Sequence, residues 1–121
     1  MASKVEGLDK LRTSIATLRR ETVTEIETAL RKSADEMASM ARALAPVDEG
    51  DLRDSIQVVD GDHELQVRVV ATDYKAGWVE HGVAHRPATP FFFPSYRAVR
   101  TRARSRISRA VNAAARKAFS S

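Results

Sequence analysis

From Leu8 to Ala45 the chain contains neither Gly nor Pro, and Leu8, Leu11, Ile15, Leu18, Thr22, Ile26, Ala29, Ser33, Met37, Met40 and Leu44 recur at steps of three and four. That spacing lines one face of an α-helix, and nothing else in the sequence constrains the fold as much. An unbroken helix over 8–45 is about 55 Å long at 1.5 Å per residue. A chain of 121 residues folds into a body narrower than that. The N-terminal part of the helix is therefore expected to project and to need a partner. Thr22 and Ser33 interrupt the apolar stripe and mark places for a break or kink. Pro46 sets the stop, because a residue before proline is pushed out of helical geometry.

Pro46 to Ile56 reads as a turn and then a short helical turn, with Asp51 placed to cap Leu52–Ser55. Gln57–Val59 and Leu65–Ala71 read as strands joined at Asp60-Gly61-Asp62, a hairpin signal. In the second, Leu65, Val67, Val69 and Ala71 fall on one face. Ala76–Val83 is expected as a third strand, giving an antiparallel β-meander over 56–83. So small a sheet needs a helix on its apolar face. The fold class predicted is α+β: one domain over 1–121, with a long N-terminal helix packed on a small antiparallel β-meander, followed by a C-terminal helix.

Tyr74 to Tyr96 holds the only Trp, both Tyr, three of the four Phe and three of the four Pro. Pro87 and Pro90 lack an N–H and fix φ, so an irregular loop is expected over 84–94. Phe91, Phe92 and Phe93 cannot all enter one core from an extended chain, because alternate side chains point opposite ways. Two readings stay open: a plug over the subunit's own core, or a contact with another subunit. A helix is expected over 95–118, with Val99, Ala103, Ile107, Ala110, Val111, Ala114 and Ala118 as a slim stripe among arginines.

Charge is divided along the chain. Residues 1–96 hold 12 Lys/Arg and 16 Asp/Glu, net −4, whereas 97–121 hold 8 Lys/Arg and no acid, net +8. Such a segment seeks phosphates, an acidic patch on a neighbour, or solvent. No apolar run has the length of a membrane span. The first residues lack the apolar core of a secretory leader. The absence of Cys excludes disulfides and fits synthesis in a reducing cytoplasm. No nucleophile elbow, phosphate-binding loop, dinucleotide fingerprint or zinc-protease motif is present. His81 and His85 straddle Gly82, which spoils helical ligand spacing, and Asp48/Glu49 and Asp51/Asp54 read as caps and solvated charge. No catalytic, cofactor-binding or metal-binding residue is expected.

Two segments carry a resemblance. ALAPVDEGDLRDSI (43–56) and YKAGWVEHGVAHRPATPFFFPSY (74–96) resemble, in order and spacing, the two signatures of the small neck or tail-completion proteins of long-tailed bacteriophages, also called head–tail joining proteins. The first family pattern is Ala-Pro, then Thr-Gly, Leu and Ser. The second is Tyr, a small residue, Val-Glu-x-Gly, then Pro-Ala-x-Pro-Phe and a closing Pro before a helix. Glu49 stands where the family usually has Thr, Val83 where Thr commonly follows the Gly, and Phe93 where Leu or Arg often precedes the closing Pro. The resemblance implies an α+β subunit that forms a ring between capsid portal and tail tube, with DNA passing through.

On this reading the chain is a structural virion protein, assembled in the host bacterial cytoplasm into the neck or tail. Its partners are further copies of itself and neighbouring neck, portal-side or tail-tube proteins. Tyr74, Trp78, Glu80, Pro87, Pro90, Phe91, Phe92 and Phe93 are expected at subunit interfaces, with Glu80 as an exposed strand residue near Arg86 in the plainer alternative. Arg100, Arg102, Arg104, Arg106 and Arg109 are expected to form a charged face toward a neighbouring subunit or non-specifically toward DNA in the channel. The rival from another class is a small DNA-binding protein using this basic helix. A tail-assembly chaperone is a third reading.

Overall fold

The computed structural model describes residues 2–48 and 50–119. Six elements follow in order: α1 (Ala2–Leu44), α2 (Gly50–Ser55), β1 (Ile56–Asp60), β2 (Val67–Ala71), α3 (Ala76–His81) and α4 (Phe92–Phe119). The class is α+β, as the hydrophobic pattern predicts.

α1 is one continuous helix of 43 residues, about 64 Å at 1.5 Å per residue, with no break at Thr22 or Ser33. Ser33 is buried and accepts a hydrogen bond from Arg106 Nη1 at 2.8 Å, so the polar gap in the stripe is a seam to α4. α4 runs antiparallel to α1: Arg102 and Arg106 meet Glu36, and further along Lys117 meets Glu25 at 3.3 Å.

β1 and β2 form a two-stranded antiparallel sheet in the register Ile56↔Ala71 to Asp60↔Val67. The connection is longer than the sequence pattern suggests. Gly61 N–H donates to Gln66 O at 2.9 Å, and the Gln66 side chain folds over Gly61, where a Cβ would lie 2.5 Å from Gln66 Cγ. Arg31 pairs with Asp60, and Arg19 with Glu64 at 3.1 Å, so the hairpin lies along α1 with its tip toward the N-terminal end.

The expected third strand is a helix. Asp73 accounts for the difference. Its carboxylate accepts the Lys75 N–H at 2.8 Å and its carbonyl accepts the Ala76 N–H at 3.1 Å, which winds the chain into α3. The meander over 56–83 is therefore a hairpin plus a short helix. Asp51, expected as a cap, sits inside the first turn of α2, and Glu49 lies outside the described residues.

The core joins Ala38, Ala41 and Ala45 at the end of α1 to Leu52, Ile56, Val79 and Phe91. On α1 it is built on alanines, which let the other elements approach the helix closely. Arg42 Nε and Nη2 donate to Ile56 O at 3.1 and 2.6 Å, fastening the α2–β1 junction to α1.

Candidate functional site

The Tyr74–Tyr96 stretch folds back on itself around Glu80, which stands on α3 rather than on a strand. Its Oε1 accepts the N–H groups of Phe91 and Phe92 at 3.0 and 2.9 Å, and its Oε2 accepts that of Phe93 at 3.1 Å. A helix leaves four N–H groups without intrahelical partners. In α4 three of them go to Glu80, and the fourth position is Pro94, which has none. α4 can therefore start at Phe92, three residues ahead of the sequence expectation, and the irregular loop ends at Phe91. Burial, the largest single influence, pushes the Glu80 carboxyl up. The bonds from Phe92, Phe91 and Phe93, with the nearby His81, outweigh it and hold the group below its ordinary range. The positive end of the α4 dipole favours the same ionised state.

The segment between α3 and α4 is equally tied. Gly82 has φ of 81°, and a Cβ there would lie 2.8 Å from Ala88 N. Only glycine takes that backbone angle at no cost in that space. Val83 and Arg86 exchange backbone hydrogen bonds of 2.9 and 3.1 Å, and Thr89 N–H donates to Val79 O at 2.8 Å. Glu80 and Gly82 are thus the parts of a clasp that seats α4 on α3.

The three adjacent rings have three different fates. Phe91 is 1% exposed and belongs to the core, Phe92 is half-buried against it, and Phe93 is 53% exposed. The plug reading holds for Phe91. Phe93 lies at the surface with the exposed Tyr96, ring centroids 6.1 Å apart, and the Arg97 guanidinium sits 4.7 Å from its centroid. A second exposed pair, Tyr74 and Trp78, meets edge to face at 5.4 Å. Trp78 and Glu80 are about 200° apart around α3, so the two pairs flank it on different sides. Pro87 and Pro90 are exposed as well. Tyr96 has the same character as the predicted interface residues, and its place beside the Phe run was the available signal.

The arginines of α4 divide as well. Arg106 is mostly buried and bonds Ser33 and Glu36, and Arg102 reaches Glu36 at 3.5 Å. Arg109 Nε donates to Ser105 O at 3.3 Å, while Arg100 and Arg104 are exposed. The basic face is thus partly neutralised by α1 of the same subunit.

At the far end of the molecule, Leu8, Leu11 and Ile15 are more than half exposed. They lie N-terminal to Arg19, where the hairpin tip reaches α1, and to Glu25, where Lys117 near the end of α4 does. The expected projection of α1 is present. Phe91 sits by Ala41 and Ala45, so Leu11 and the Phe93 region are separated by about 50 Å of helix.

Among the described residues no three His, Asp or Glu side chains gather as a metal site, and no helix is long and apolar enough to cross a membrane. Residues 9–82 match the family model described as "Bacteriophage HK97-gp10, putative tail-component". No curated protein and no solved structure matches the chain.

Proposed function

The chain belongs to the HK97-gp10-like family of bacteriophage tail components, whose model spans residues 9–82, and from that premise we propose that it is a non-catalytic subunit of a homo-oligomeric ring. This ring stands in the neck, joining head to tail or completing the tail. Its subunits assemble in the host bacterial cytoplasm and meet neighbouring neck, portal-side or tail-tube proteins. The observation that carries this reading is the presence of two unlike exposed surfaces at opposite ends of α1. One is the apolar Leu8–Leu11–Ile15 face, and the other is the end around α3, which exposes Trp78 on one side and Phe93 with Tyr96 on another. Exposed apolar surface of this kind marks interaction sites. Two different surfaces at opposite ends suit head-to-tail packing, which closes into a ring when the rotation between subunits closes.

Light scattering and electron microscopy over rising protein concentration test the proposal, together with addition of the protein to particles that lack it. A discrete ring, or a ring-sized layer on the particle, is the expected result. A monomer that remains a monomer and leaves those particles unchanged overturns it.

A further inference from the structure

The projecting face of α1 has a basic edge. On a helix that places Leu8, Leu11 and Ile15 together, the exposed Arg12 lies about 65° from the middle of the face, whereas Asp9 and Lys10 lie about 130° from it on either side, toward the back of the helix. At the opposite end, the turn that closes α1 carries Leu44 and Val47, 42% and 86% exposed, followed along the chain by the exposed Asp48, Asp51 and Asp54. Neither Arg12 nor any of these three carboxylates makes an ion pair among the described residues. One end of the subunit is thus apolar with a basic edge, and the other is apolar with acidic neighbours.

We infer that the Leu8–Leu11–Ile15 face of one copy docks on the Leu44–Val47 turn of the next copy, with Arg12 set against Asp48, Asp51 and Asp54. This rests on the ring reading and names its contact. The occupant is a second copy because the complementary patch lies on the same chain. The order is head-to-tail because about 50 Å of helix separates the two patches. Opposite charge fixes the register and disfavours pairing of like ends. The acidic turn takes Arg12 rather than the α4 arginines, since Arg102 and Arg106 are already set against Glu36. Three half-exposed side chains fall well short of the roughly 800 Å² per partner of a standard interface. A single contact is therefore weak, and closure, which holds every copy on both sides, completes it.

The chain has no Cys, so cross-linking reads the contact directly. Leu11→Cys and Val47→Cys are made as separate proteins at exposed positions, checked for fold by circular dichroism, mixed and oxidised at ring-forming concentration. The expected product is a disulfide dimer that forms at least tenfold more in the mixture than in either protein alone. Arg12→Glu should lower ring yield, and Asp51→Lys in the same chain should recover part of it. Rings of full mass with no Leu11–Val47 cross-link overturn this contact and leave the ring reading standing. A Leu11→Cys protein that cross-links to itself overturns it too, by showing like ends paired. Absence of any oligomer overturns the ring reading and this contact with it.

Discussion

One carboxylate, Glu80, substitutes for the carbonyls that the first turn of α4 lacks. Glu80→Ala leaves three N–H groups without their acceptor and is expected to cost roughly 1–3 kcal/mol in denaturant melts at pH 7. The folded-state pKa of Glu80 lies below its unfolded value. Its contribution is therefore fully present above the ordinary glutamate pKa of about 4.3, and it is lost as pH falls through the depressed folded value. The stability gap between wild type and Glu80→Gln should accordingly narrow below about pH 4; a gap independent of pH would assign the loss to shape alone. Phe91 and Phe93 make a second contrast. Phe91→Ser removes a core ring and is expected to cost about 3–5 kcal/mol. Phe93→Ser should change the melt by less than about 1 kcal/mol and act on assembly; equal melts for the two would contradict their placement. Glu80 and the Phe run stood out in the sequence, but the cap did not. The bonds link residues 11 to 13 positions apart, a separation that no helix or strand period encodes.

At the level of elements, the long helices were legible because apolar spacing repeats over many turns, and the hairpin because its turn chemistry is local. α3 was not, since six residues around Trp78 and Val79 suit a strand or a helix equally and Asp73 decides between them. The α1 core face was also hidden. Ala34, Ala38, Ala41 and Ala45 carry it, and alanine fits a core or a surface without distinction. The seam between α1 and α4 has a testable uneven strength. Arg106→Ala leaves the half-buried Glu36 without its closest cation and is expected to cost about 1–3 kcal/mol, whereas exposed Arg104→Ala should stay within about 0.5 kcal/mol. Reversal of both charges together would thus confuse folding with assembly. Amide exchange of the dilute protein should be fast over 8–18 and slow over 29–41. Uniform protection along α1 at low concentration would mean that its N-terminal turns are covered without a partner.

For the whole molecule, the formal charge of +8 on residues 97–121 overstates what DNA would meet, because Arg102, Arg106 and Lys117 already face acids of α1. Gel shifts with a non-specific duplex are expected to show no retention near about 0.15 M salt. Retention there, lost in Arg100→Ala/Arg104→Ala, would favour the DNA-binding reading of the basic helix. The continuity of α1 has a mechanical side. Between Leu11 and Ala41 there is no glycine or proline, the usual causes of a kink, so the helix is a stiff rod, held by α4 and the hairpin as far as Glu25 and Arg19 and free ahead of them. A tilt of about 5° where the rod leaves that support swings Leu11 by about 2 Å over an arm of about 20 Å, enough to misalign a side-chain-sized seat. The angular accuracy of each added copy is then set by the seam of α1 with α4 and the hairpin, away from the surfaces that touch, and loosening that seam would scatter the angles of a chain of subunits that still folds and still binds.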